Sequence, residues 1–139
     1  MNPIPEDLQG KLNSLVQYLD ELEGWLESPE ESLGGRGFQR IIERMFQLIV
    51  ECAADAGDLW LQAGELPTGE SVRGVFERLG GAEILDQESL TRFAEYVTIR
   101  NRIVHDYEQV NLSLLSRVAP ALVRDGRMLA QKLLGLGPQ

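Results

Sequence analysis

The stretch RIIERMFQLIVECAAD, residues 40–55, decides the fold of this chain of 139 residues. Its apolar side chains recur at intervals of three and four, the spacing that places them along one face of an α-helix. The pattern continues on both sides and predicts a helix of roughly 25 residues that ends near Gly64. The apolar face comprises Phe38, Ile41, Ile42, Met45, Phe46, Ile49, Cys52, Ala53, Ala56, Leu59 and Trp60. The opposite face carries Arg40, Glu43, Arg44, Glu51 and Asp55.

The segments before this helix follow the same logic. Apolar residues recur with helical spacing from Leu8 to Leu26, which predicts a first helix. Ser28-Pro29 should end it, because proline lacks the backbone N–H that a helix interior needs. The run Gly34-Gly35-Arg36-Gly37 is then predicted to be a flexible connector.

Three more helices are predicted downstream. Val72–Leu79 forms a short helix that Gly80-Gly81 stops. Asp86 is placed to cap the N-terminus of the fourth helix, since a carboxylate there accepts from free backbone N–H groups. Asn111 can cap the fifth helix, in which Pro120 should produce a kink or a break.

The predicted fold class is all-α, an antiparallel up-and-down bundle of about five helices. No alternating pattern of a strand extends beyond a few residues. Residues 1–139 are expected to form a single domain, because domains commonly hold about 100–150 residues. The hydrophobic fraction of 43% is sufficient for a core.

A cytoplasmic location is expected. The chain contains no apolar run of 18 residues, so we predict no transmembrane helix and no membrane partner. The N-terminal residues MNPIPED lack the pattern of a signal peptide. Cys52 is the single cysteine and lies in an apolar helical pattern, which predicts a buried structural thiol.

The net charge of −9 is unevenly distributed. Residues 1–35 hold eight acids and one lysine, a balance of −7, whereas residues 36–139 hold 14 acids and 12 bases, a balance of −2. The negative net charge of the whole chain argues against a protein that binds nucleic acid broadly and without specificity. A local cleft lined by arginines is compatible with this net charge, because salt screens charges beyond about 8 Å.

The stretch RNRIVHDY, residues 100–107, gathers the candidate catalytic groups. It contains His105, the only histidine, which is the side chain best suited to move protons near neutral pH. Arg100 precedes it by five residues and can hold a phosphate through two parallel hydrogen bonds. These residue types suggest phosphodiester chemistry. No residues have the spacing of metal ligands and no glycine-rich phosphate loop is present, so neither a metal nor a cofactor is predicted.

The spacing within this stretch limits what one helix can do. At about 100° per residue, Arg100 and His105 point roughly 140° apart, whereas Asn101 and His105 share a face. Either the helix loosens near His105, or a second subunit completes the site.

Structural roles remain open for several of these residues. His105 can be a capping residue, and Tyr107 can be a packing residue. An exposed helical arginine is usually either solvated or paired, for example Arg92 with Glu88 or Glu95 of its own helix. Glu51 either ties down an arginine of the site or belongs to a solvated helix face.

The motif Arg-x4-His-x-Tyr resembles that of HepT-type toxins, in the HEPN group of all-helical ribonucleases. The resemblance extends to the long helix of residues 40–55, the Leu66-Pro67-Thr68 turn, the short third helix and the Gly80-Gly81 break. It covers roughly residues 8–134.

The resemblance implies a function, a site and partners. Arg100 and His105 match the family's catalytic pair, and Asn101 matches the polar residue beside the arginine. The family cuts RNA without a metal, and two protomers related by a two-fold axis line one cleft with both copies of the motif. A 2′,3′-cyclic phosphate is the expected product.

Family members are typically encoded beside an MNT-type nucleotidyltransferase antitoxin that transfers AMP to the motif tyrosine, here Tyr107. The alternative is a non-catalytic HEPN-like helical dimer that binds a nucleotidyltransferase or a nucleotide.

Overall fold

The computed structural model describes residues 4–27, 35–105 and 110–136, and these contain five helices and no strand. The helices are α1 (Glu6–Glu27), α2 (Gly35–Ala63), α3 (Val72–Gly81), α4 (Gln87–His105) and α5 (Leu112–Leu136). Helix α2 packs against all four other helices, so it is the central element. The predicted all-α bundle of about five helices is confirmed. No helix in the described part of the chain is both long enough and apolar enough to cross a membrane.

Helix α2 starts earlier than the sequence predicts. Gly35, Arg36 and Gly37 were expected in a flexible connector, but they form the first turn of a helix of 29 residues. Each glycine in a helix costs about 1 kcal/mol relative to alanine. Phe38 and Ile42 are buried directly after this turn, and this burial offsets the low helix propensity of the glycines.

Helix α5 continues through Pro120 without the break that was one of the two predicted outcomes. The ring removes one backbone donor from the helix. Leu115, Ala119 and Leu122 are fully buried around it, so packing of the apolar face holds the two halves of α5 together.

The predicted N-terminal caps of α4 and α5 are confirmed. Helix α3 also has an N-terminal cap, which was not predicted. The Ser89 N–H donates to Asp86 Oδ1 at 2.8 Å, and this hydrogen bond lowers the pKa of the Asp86 carboxyl. Asn111 Oδ1 accepts from the Ser113 N–H at 2.7 Å and from the Leu114 N–H at 3.2 Å. Ser71 caps α3 by accepting from the Gly74 N–H at 3.0 Å.

The core lies where α1, α2 and α5 meet. Five leucines of α1 are completely buried there: Leu8, Leu12, Leu15, Leu19 and Leu22. Gly126 of α5 permits the close approach of α1, since a Cβ at this position would lie 2.7 Å from Leu19 Cδ2. Cys52 is buried as predicted, and this burial raises the pKa of its thiol.

Aromatic side chains connect α2, α3 and α4. The rings of Phe76 and Phe93 stack with centroids 4.8 Å apart, and Phe93 meets Tyr96 edge to face at 5.4 Å. Tyr96 in turn contacts Phe46 of α2 edge to face at 6.2 Å. The three helices are therefore held together one turn before Arg100 on α4.

A buried carboxylate joins α4 to α5. Asp125 is 2% exposed and accepts hydrogen bonds from Arg92 Nε at 2.8 Å and from the Tyr96 hydroxyl at 2.5 Å. The expectation that Arg92 pairs with Glu88 or Glu95 is therefore wrong. Pairing with Asp125 is favoured because a carboxylate excluded from water needs a cation and hydrogen-bond donors, whereas Glu88 and Glu95 are exposed.

Candidate active site

Glu51 of α2 holds the guanidinium of Arg100 on α4. Glu51 Oε2 accepts from Arg100 Nε at 2.9 Å and from Nη2 at 2.6 Å. The two side chains are partly buried, with 18% of Arg100 and 32% of Glu51 exposed. Of the two roles open to Glu51, the structure therefore shows the first: it ties down an arginine of the candidate site.

Asn101 holds the other side of the same guanidinium. Arg100 Nη1 donates to Asn101 Oδ1 at 2.9 Å. A guanidinium has five N–H donors, and the three bonds to Glu51 and Asn101 leave two, one on each terminal nitrogen. Arg100 is thus fixed in position and can still donate two hydrogen bonds to a phosphate.

Two glutamines of α2, Gln47 and Gln39, form further polar contacts beside Glu51. Neither was among the residues predicted from the sequence. Gln47 Nε2 donates to Glu51 Oε2 at 3.4 Å, and Gln39 Nε2 donates to the Val110 carbonyl at 2.6 Å. A signal was present, because Gln39, Glu43, Gln47 and Glu51 recur every four residues on one side of the helix.

His105 is the last residue of α4, and its side chain is exposed. Helix α4 stays α-helical up to this residue, so loosening of the helix does not bring Arg100 and His105 onto one face. The Arg100 side chain turns toward α2, and no hydrogen bond or ion pair joins it to His105 within the described residues. The other arrangement, in which a second subunit completes the site, remains a prediction.

Tyr107 lies outside the described residues, and so does Asp106. The structure therefore places Arg100, Asn101 and Glu51 together and His105 at the end of the same helix. Within the ranges given above, no group of three or more His, Cys, Asp or Glu side chains is arranged to hold a metal ion.

Comparison with known proteins assigns the family. The family described as "Ribonuclease HepT-like" matches residues 15–132. The chain belongs to the HepT-like ribonuclease family. A curated HepT relative, the tRNA nuclease HepT of Aphanizomenon flos-aquae (strain 2012/KM1/D3), is 32% identical over 110 residues, which cover 77% of this chain and 74% of the relative.

Solved structures show the same fold. A toxin–antitoxin MntA–HepT mutant superimposes with a TM-score of 0.80 at 17% identity, covering 94% of this chain and 99% of the matched chain. The tri-AMPylated HEPN toxin of Shewanella oneidensis in complex with an MNT antitoxin gives 0.74 at 18% identity, covering 97% and 99%. The cytosolic protein YutE of Bacillus subtilis gives 0.76 at 13% identity, covering 92% and 89%. The HEPN-like fold of the HepT-like chain is thereby confirmed.

Proposed function

We propose that this HepT-like protein is a metal-independent endoribonuclease and the toxin of a toxin–antitoxin pair. The observation that carries the proposal is the state of Arg100: Glu51 and Asn101 orient its guanidinium, and two N–H donors remain for a phosphate. The only histidine ends the same helix and is exposed to solvent.

The chemistry follows from these two side chains. His105 accepts the proton of a ribose 2′-hydroxyl while the 2′-oxygen forms a bond to phosphorus. The bond between phosphorus and the 5′-oxygen breaks, and the partner subunit's His105 returns a proton to that oxygen. Arg100 stabilises the charge that develops on the phosphoryl oxygens. The products are a 2′,3′-cyclic phosphate and a 5′-hydroxyl.

A two-fold homodimer is part of the proposal. Arg100 and His105 diverge on a regular helix, and Arg100 is turned toward α2 by Glu51. A cleft between two copies of α4 supplies an arginine and a histidine to the same phosphate without distortion of either helix.

The antitoxin is proposed to be an MNT-type nucleotidyltransferase that transfers AMP to Tyr107. Two of the structurally similar proteins named above support this partner, since one belongs to an MntA–HepT pair and the other is AMPylated in complex with an MNT antitoxin. Tyr107 follows His105 by two residues in the sequence, and an AMP group adds a phosphate there that can compete with the phosphate of RNA for an arginine.

Incubation of the purified protein with total RNA tests the proposal. The parent should cut RNA in the presence of EDTA and leave 5′-hydroxyl ends, which polynucleotide kinase labels without prior phosphatase treatment. His105→Ala and Arg100→Ala should each reduce the rate by about 10²–10⁴-fold while the helical circular dichroism is unchanged. If the folded parent leaves RNA intact, the alternative of a non-catalytic binding module is favoured. If EDTA stops cleavage, the metal-free mechanism is wrong.

A further inference from the structure

Three arginines project from the side of α2 that carries Glu51. They are Arg36, Arg40 and Arg44, here called the arginine row, and all three are exposed. Successive members are four residues apart, which corresponds to about 6 Å along the helix axis. Arg40 and Arg44 point within about 20° of Glu51 around the axis, and Arg36 within about 60°. The row therefore continues along α2 from the carboxylate that holds Arg100.

The arginine row has no acidic partner in the described part of the chain. No ion pair or hydrogen bond joins any of its guanidiniums to another side chain there. Residues 36–50 contain one acid, Glu43, and its carboxylate accepts from Gln39 Nε2 at 3.2 Å. In a protein with a net charge of −9, this segment keeps a local positive balance of three arginines against one glutamate.

Two members of the row, Arg40 and Arg44, also lie between two contacts that connect α2 to the region of the motif. At one end, Glu51 holds Arg100 through two hydrogen bonds. At the other end, Gln39 donates to the carbonyl of Val110 at 2.6 Å. Arg40 and Arg44 fall between these two points on α2, so a chain of phosphates that reaches Arg100 can continue over the row.

We propose that the arginine row binds the sugar-phosphate backbone of the RNA that flanks the scissile bond. This inference rests on the proposed ribonuclease function and assigns its substrate-binding surface. Arginines repeated at each helical turn favour a polyanion with regularly spaced charges over an acidic protein surface. Because phosphates carry no sequence information, the row adds affinity for any RNA and leaves the choice of the cut sequence to other residues.

The test measures binding separately from cleavage. Arg40→Gln/Arg44→Gln is introduced into a His105→Ala background, and its affinity for labelled oligouridylate and oligoadenylate is followed by fluorescence anisotropy at several salt concentrations. We expect Kd to rise about tenfold for both RNAs, which corresponds to the loss of about 1.4 kcal/mol. The slope of log Kd against log salt should fall by about 0.7 for each lost phosphate contact.

Two controls are matched to this variant. Arg78→Gln removes an exposed arginine beside Leu61 and Leu66, at the opposite end of α2, and should leave Kd and the salt slope unchanged. Arg40→Lys/Arg44→Lys keeps both charges and should retain the salt slope of the parent. With the wild-type His105, Arg40→Gln/Arg44→Gln should raise KM and leave kcat nearly unchanged.

The possible results separate the two proposals. If the parent cuts RNA and Arg40→Gln/Arg44→Gln binds RNA with an unchanged Kd and salt slope, the arginine row is not an RNA surface. The same conclusion follows if this variant no longer binds a co-expressed nucleotidyltransferase but still binds RNA like the parent. The row is then an interface with that protein. If the parent binds RNA through the row and does not cut it, the binding surface stands and the ribonuclease proposal fails.

Discussion

Glu51 and Arg100, 49 residues apart in the chain, are joined through a single carboxylate oxygen: Glu51 Oε2 lies 2.9 Å from Arg100 Nε and 2.6 Å from Nη2. Both donors to Glu51 lie on one edge of the guanidinium. Asn101 accepts from the opposite terminal nitrogen, so the plane of the guanidinium is held from two sides. A donor group fixed in this way loses little freedom when it binds a phosphate, which favours stabilisation of a transition state.

Glu51→Gln should therefore lower RNA cleavage without unfolding the protein. A hydrogen bond to a charged group contributes about 1.5–3 kcal/mol, which corresponds to a loss of about 10–100-fold in kcat/KM. Asp55→Asn is the matched control, since Asp55 lies one turn further along α2 and forms only an exposed pair with Lys11 at 3.3 Å. Equal activity of the two variants, measured with a labelled RNA at subsaturating concentration, would mean that Glu51 does not position Arg100 for cleavage.

Subunit mixing should reveal a shared site. A mixed dimer of one wild-type chain and one His105→Ala chain should cut RNA at far below half the wild-type rate, because each cut needs His105 of both subunits, one as the base and one as the acid. Differently tagged chains allow the mixed dimer to be purified before the assay, and a mixed dimer of two differently tagged wild-type chains is the control. A monomer in light scattering at micromolar concentration, or a mixed dimer with half the wild-type activity, would contradict the shared cleft.

AMP transfer should occur on Tyr107. With ATP and Mg²⁺, the cognate nucleotidyltransferase should add AMP-sized increments to the intact mass of this protein and stop RNA cleavage. Tyr107→Phe should remove the increments, whereas Tyr18→Phe on α1 should be modified like the parent. Increments that map to another residue, or an absence of increments with an active transferase, would exclude this route of control.

The buried Asp125 should stabilise the fold more than a surface acid does. Asp125→Asn removes the charge that Arg92 pairs with and should reduce the free energy of unfolding by about 1–3 kcal/mol. Asp20→Asn is the control, because Asp20 pairs with Arg127 at 2.9 Å but is 63% exposed, and such pairs contribute about 0–1 kcal/mol. Urea unfolding followed by circular dichroism measures both changes. A loss no larger for Asp125→Asn than for Asp20→Asn would contradict the prediction.

Tyr96 should make the stability depend on alkaline pH. Burial, the hydrogen bond to Asp125 and the charge of that carboxylate together raise the pKa of Tyr96 above the ordinary value of 10.0. The unfolded chain therefore releases this proton at a lower pH than the folded chain. The protonated Tyr96 therefore contributes to the free energy of unfolding in full below pH 10. This contribution is lost as the pH rises further, at up to about 1.4 kcal/mol per pH unit. Urea unfolding between about pH 9 and 11 should show this decline, and Tyr96→Phe should flatten it.

The local sequence was sufficient to predict the helices and most of their ends. Helical periodicity repeats within a few residues, so Leu8–Leu26 and residues 40–55 were assigned correctly without any knowledge of their neighbours. The caps at Asp86 and Asn111 were equally accessible, because each side chain bonds to backbone N–H groups two or three residues away. The motif and the surrounding helices were also sufficient to predict the HepT-like family.

Tertiary packing decided what the local pattern could not. Gly35, Gly37 and Pro120 are poor helix residues, yet they lie inside helices because the buried apolar residues around them contribute more free energy than the local propensities cost.

The partners of Arg92 and Arg100 are Asp125 and Glu51, 33 and 49 residues away. A charged side chain pairs with whichever opposite charge the fold brings within reach, and separation in sequence does not encode that distance. For this reason the chain by itself determined the helices and the candidate residues, whereas only the packed helices decided that Glu51 fixes Arg100 and that Arg100 and His105 stay on different faces of α4.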